Sequence, residues 1–146
     1  MEELVESLKK AQATSFAFYL KAHNYHWNVE GHSFSEYHAF LGDLYAEVWG
    51  AVDAIAEHIR TLDAYAPGSF TRFQQLSSIE DEMSVPTGRM MMSRLLADNQ
   101  RVLSDLMNAH RVAEAMGKRG IVNFLEDRID IHEKHGWMLR SFTKGE

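Results

Sequence analysis

Histidine is dense at one place in this chain. The stretch KAHNYHWNVEGHSF, residues 21–34, holds His23, His26 and His32, and His38 follows shortly after. Imidazole nitrogens bind divalent transition metals, and the usual complement to them is anionic oxygen. That oxygen is present further on, in HAFLGDLYAEVWGAVDAIAEHIR, where Asp53 and Glu57 stand at i and i+4. On a helix this spacing puts both carboxylates on one face, where their repulsion costs about 0.2–0.5 kcal/mol unless a cation lies between them. There is no cysteine, so disulfides and thiolate sites are excluded and a metal must be held by imidazole and carboxylate, a set that suits iron, manganese or zinc. Two plainer readings stay open: Asp53 and Glu57 as a solvated acidic face, and His26 as an inward, hydrogen-bonded core histidine.

The elements that must position these groups are helices. In the first segment Leu4, Leu8, Ala11, Ser15, Phe18, Ala22 and His26 recur at three- and four-residue steps, one stripe of a long helix with His26 on its inner side. Gly31 breaks the pattern, and Ser33 with Glu36 three residues later reads as a capping box opening a second helix, whose stripe runs Leu41, Leu44, Val48, Val52, Ile55, Ile59, Leu62. The only prolines, Pro67 and Pro86, bracket a connection with one short amphipathic piece, FTRFQQL. A third helix carries Leu95, Val102, Leu106, Ala109, Ala113 and Met116 and ends at GKRG with two glycines. A fourth carries Val122, Leu125, Ile129, Leu139 and Phe142. Met90, Met91 and Met92 read as packing or gap filling. The expected fold is all-α: a single four-helix-bundle domain over residues 1–146 with a short extra helix in the second-to-third connection. With 146 residues and 45% apolar composition the chain can bury a core of that size.

Rigid-rod arithmetic decides how the ligands can meet. His38 and Asp53 are fifteen residues apart on one helix, ~22 Å at the helical rise, so one ion cannot touch both. His26 and His38, by contrast, flank a short turn and can converge at one end of a helical hairpin. If two copies of the second helix lie antiparallel about a two-fold axis near Glu47, His38 of one subunit faces Asp53 and Glu57 of the other. The line of small residues Gly42, Ala46 and Gly50 would then let the rods approach closely, although the same line could pack within one subunit. His23 and His32 are read as solvent or turn residues, His58 as a neighbour of the carboxylate pair, and His110, His132 and His135 as structural or surface histidines. No E-x-x-H or D-x-x-H occurs, which argues against a di-iron site built inside one subunit.

These residues resemble a known family, the Dps-like mini-ferritins. The likeness rests on HNYHWNVEGHSFSEYHAFLGDLY, VDAIAEHIRTLDA, SFTRFQQLS and DRIDIHEKHGWMLRSF and spans nearly the whole chain. It implies a hollow, tetrahedral shell of twelve subunits built from two-fold dimers. It also implies oxidation of Fe(II), preferably by hydrogen peroxide, at inter-subunit ferroxidase sites, and storage of ferric mineral inside. His26, His38, Asp53 and Glu57 match the family's metal ligands and catalytic residues. The departures are specific. Most members carry a carboxylate four residues after the second histidine, where this chain has Gly42, with Asp43 adjacent but turned by about 100°. With four ligands, zinc is a competitor for iron. Lys118, Arg119 and Asn123 occupy the neighbourhood where the family's entry pore is acidic, with Glu126, Asp127 and Asp130 further on. Net charge −6 and the absence of a basic tail argue against nucleic acid as a partner. No run of 18 apolar residues and no signal-peptide pattern occurs, so a cytoplasmic, membrane-free protein is expected. Two rival functions remain: a metal-binding shell with weak or no ferroxidase activity, and a helical protein-interaction module using the small-residue face. Trp27, beside His26, is either an electron donor or an interface-packing aromatic.

Overall fold

The computed structural model of the chain describes residues 1–144; positions 145 and 146 of the expected domain lie outside the described residues. Five helices follow one another, α1 (Glu2–Asn28), α2 (Phe34–Thr61), α3 (Phe70–Leu76), α4 (Gly88–Ala115) and α5 (Arg119–Thr143), and no strand occurs among the described residues. The four long helices form the bundle, and α3 is the short helix inside the second-to-third connection. α1 and α2 make one hairpin and α4 and α5 another. α1 packs on both α2 and α4, whereas α2 and α5 meet more sparsely.

The apolar stripes explain the packing. Leu4, Leu8, Ala11, Phe18 and Ala22 of α1 are buried in one cluster with Leu41, Leu44 and Val48 of α2, Leu95, Val102 and Leu106 of α4, and Leu125 and Leu139 of α5. Each large side chain removed from water in this way contributes about 1.5–3 kcal/mol before the entropy of ordering it is set against the gain. Met91 and Met92 are fully buried gap-fillers, while Met90, at 45% exposure, is not. Tyr25, absent from the expected stripe, is also fully buried; its hydroxyl donates to Glu82 at 2.6 Å. Glu82 also accepts from Arg94 at 2.6 Å and from the Ser84 hydroxyl at 2.8 Å. Phe73 of α3 stacks on Phe16 of α1, centroids 4.5 Å apart. The long connection is thereby fastened to α1 and α4.

Two expected termini differ. Ser33 is the residue before α2, but its backbone is left-handed at φ 64° and its side chain makes no capping bond, so the Ser33/Glu36 capping box does not form. The turn satisfies its backbone groups instead, the Phe34 N–H donating to Gly31 O and the Tyr37 N–H to Ser33 O, each at 3.2 Å. At GKRG only Gly117 ends α4. It sits at φ 68°, with the Lys118 N–H donating to Ala113 O and the Gly117 N–H to Glu114 O, each at 3.0 Å, the paired bonds of a Schellman motif. Gly120 lies inside the first turn of α5.

Candidate metal half-site

The turn between α1 and α2 brings His26, in the last turn of α1, against His38, in the second turn of α2. Nδ1 of His26 bonds to the backbone carbonyl of His38 at 2.8 Å, and Nδ1 of His38 to the carbonyl of His26, also at 2.8 Å. A carbonyl oxygen only accepts, so both Nδ1 atoms carry the proton and both Nε2 atoms keep a lone pair, the form in which imidazole binds a metal. The rings stack with centroids 3.8 Å apart and planes 17° from parallel. Phe34 stacks on His38 at 5.0 Å, and Tyr45 meets the His26 ring edgewise at 5.2 Å. Both histidines are half-buried. Hydrogen bonds from Nδ1 to carbonyls fix the ring orientation and the tautomer, as the partners of metal-bound histidines do.

Asp53 and Glu57 are exposed on α2, remote from the imidazoles at ~22 Å along the helix for Asp53. Among the described residues, no three histidine, aspartate or glutamate side chains of one chain come together to hold an ion. The chain thus unites His26 with His38 and leaves the two carboxylates apart. Asp43 is exposed, as are Ala46 and Gly50; a Cβ built on Gly50 would meet nothing within 4 Å. That end of the small-residue line is therefore not packed inside the subunit. Trp49 beside it is 55% exposed and lies against Tyr19 at 4.8 Å.

His23 is not the solvent or turn residue the spacing suggests. Its ring stacks on Tyr45 with centroids 3.7 Å apart and lies tilted against Trp27 at 3.8 Å, and its Nδ1 pairs with the Tyr19 hydroxyl at 2.9 Å. Burial, with His26 nearby, lowers its pKa. His32 is exposed. His58 is half-buried on the ring of Phe124 at 4.6 Å, and burial lowers its pKa against the opposing pull of Glu57. His110 bonds to Glu126 at 2.9 Å.

A polar network inside the bundle escaped sequence reasoning. Arg128 of α5, buried, grips Glu47 of α2 through both guanidinium nitrogens, with Nη2 to Oε1 at 3.0 Å. His135 donates from Nε2 to the same Oε1 at 2.8 Å. The fully buried His132 donates from Nδ1 to Asn99 Oδ1 at 2.8 Å and accepts at Nε2 from Arg128 at 3.1 Å. Burial pushes the Glu47 pKa up, but the bonds from His135 and Arg128 outweigh it and hold the carboxyl down at about 2. Burial, Arg128 and His135 together keep His132 neutral, its pKa well below the ordinary value. The signal lay in α5, where Leu125, Arg128, His132, Gly136 and Leu139 form one stripe with polar side chains at buried steps.

The class is that of the ferritin-like proteins: the chain, a helical bundle with a short helix in its long connection, matches the ferritin-like domain family over residues 5–145. It belongs to that family, and within it the chain is a Dps-like mini-ferritin. Antigen TpF1 of Treponema pallidum is 38% identical over 97% of this chain and 80% of that protein. DNA protection during starvation protein 2 of Bacillus anthracis is 28% identical over 97% of each. The crystal structure of the DPS protein from Vibrio cholerae, described as a member of a broad superfamily of ferritin-like diiron-carboxylate proteins, superposes with a TM-score of 0.94 at 29% identity, covering 98% of this chain and 90% of the other. No helix among the described residues is long and apolar enough to cross a membrane.

Proposed function

We propose that this protein is a ferroxidase and iron store that binds Fe(II) at sites shared between two subunits. Neutral His26 and His38 come from one chain, and ionised Asp53 and Glu57 from an antiparallel α2 of its neighbour. The two-fold axis passes at the level of Glu47 on the exposed Ala46 side of the helix, since Glu47 itself turns inward to Arg128. The observation that carries this reading is the reciprocal His26/His38 bonding, which spends both Nδ1 protons on carbonyls and leaves two Nε2 lone pairs for an ion. Membership of the ferritin-like family supports iron as the substrate.

In the proposed reaction each peroxide takes two electrons from two Fe(II) and two protons from solution, its O–O bond breaks, and the products are two Fe(III) and two waters. The anionic oxygens of Asp53 and Glu57 favour the more highly charged product, which passes to mineral inside a shell of twelve subunits. A cytoplasmic location belongs to the same reading. The test is iron-edge anomalous scattering from crystals soaked in Fe(II), together with the peroxide dependence of iron oxidation. Iron between His26, His38 and the partner's carboxylates, with oxidation faster in peroxide than in oxygen, is the expected result. Iron elsewhere sinks the reading.

One observation favours a second reading. Gly42 supplies no carboxylate beside the imidazoles, so the same shell can hold a single ion, zinc included, without oxidising iron well. Stopped-flow iron oxidation separates the two.

A further inference from the structure

Gly42 lies directly against the His26 ring. A Cβ built there would fall 3.1 Å from Cε1 and 3.3 Å from Nδ1 of His26, inside the ordinary 3.5–4.0 Å separation of carbon contacts. The ring has little room to retreat. Its Nδ1 is bonded to His38 O at 2.8 Å, it stacks on the His38 ring at 3.8 Å, and Tyr45 closes on it edgewise. A shift of a few tenths of an ångström stretches that bond and opens the stack. Glycine inside a helix is also unfavourable by propensity, and at Gly50 on the same helix no neighbour requires one.

We infer that Gly42 is a positioning residue for the metal site: the missing side chain seats the His26 ring flush against α2, closes the reciprocal bonding with His38, and so fixes where both Nε2 lone pairs lie. This rests on the reading of His26 and His38 as metal ligands. It also sets the character of the half-site, which offers two neutral nitrogens and no charge and therefore selects borderline divalent ions over magnesium or calcium. A carboxylate at position 42 is not a simple extra donor here, because its Cβ displaces the ring first.

The experiment compares Co(II) binding, by visible absorption and titration calorimetry, in the assembled wild type and in Gly42→Ala, Gly42→Asp and His26→Ala, with crystal structures of the metal-free Gly42 variants. Gly42→Ala should weaken Co(II) by about tenfold, the lower end for losing the support of a liganding histidine, and alter the ligand-field bands. Gly42→Asp should weaken binding too, and the His26 ring should be displaced in both structures. An unmoved ring, Gly42→Ala matching wild type, or Gly42→Asp binding more tightly overturns the inference. If wild type binds no Co(II), or His26→Ala binds as well as wild type, the underlying reading of the ligands fails instead.

Discussion

Glu47 and Arg128 join α2 to α5 across the bundle through two parallel hydrogen bonds, the guanidinium buried and the carboxylate one-third exposed. The backbones of these two helices stay well apart, and the rest of the seam is made by Tyr37 and Phe40 against Phe142, His58 against Phe124 and the His135 bond to Glu47. Arg128→Met keeps the volume but leaves Glu47 facing the interior with only His135. Breaking one partner of a buried pair costs about 3–5 kcal/mol, and the exposure of Glu47 places this case at about 3 kcal/mol. Calorimetric melting of the metal-free protein checks it. Replacing both residues, as Glu47→Leu with Arg128→Met, should recover most of the loss, since no charge is then stranded.

The same network makes stability depend on pH in two windows that open at different pH. His132 has a folded pKa below its unfolded value of about 6.5, so the unfolded chain takes up the proton more readily. Its contribution is whole above pH 6.5 and is lost as pH falls below it. Glu47, held at about 2 against an ordinary 4.5, stabilises fully above 4.5 and loses its contribution between there and 2. Melting temperature should therefore drop first below about pH 6.5 and again below about pH 4.5. His132→Gln is expected to be less stable at neutral pH and to flatten the upper step. Other histidines lowered by burial share that window, so the measured quantity is the difference between the variant and wild-type curves. An upper step of equal size in both would contradict the assignment.

Residues whose environment is made by their own helix were legible in the sequence; residues whose environment is made by another helix were less so. Leu4 to Ala22 and Leu41 to Ile59 repeat at helical steps, and burial follows from that period alone. The approach of His26 to His38 followed from a short turn between two rods. His23 falls between the two cases: Tyr19 and Trp27 lie at i−4 and i+4 on its own helix, whereas the stacked Tyr45 comes from α2. The Glu47 network was missed because its partners lie 81 and 88 positions away. Ser33 shows a local failure: the same S-x-x-E pattern suits a capping box, yet the tight turn after Gly31 needs a left-handed residue there.

That turn gives a prediction of opposite sign to the capping reading. A Ser that caps a helix loses about 0.5–2 kcal/mol when replaced by Ala and a few tenths when replaced by Gly. A Ser held at φ 64° without a capping bond carries a left-handed penalty of about 1 kcal/mol that glycine does not. Ser33→Gly should therefore raise the melting temperature, and Glu36→Ala should leave it within error. A lower melting temperature for both would restore the capping box.

The shared site can be tested by complementation between broken subunits. His26→Ala with His38→Ala removes the nitrogen half, and Asp53→Asn with Glu57→Gln removes the carboxylate half. Each double variant assembled alone should bind no Fe(II) at the proposed site. Co-expressed in equal amounts, half of the two-fold dimers pair one chain of each kind, and in those one of the two sites takes both halves from unmutated residues. Binding should return to about one quarter of the wild-type site number. A site built within one chain cannot be rescued in this way, because every chain in the mixture lacks half of its ligands. Recovery near one quarter, with the separately assembled variants silent, is specific to ligands crossing the interface; no recovery in mixed shells of normal size means His26 and His38 do not share an ion with Asp53 and Glu57.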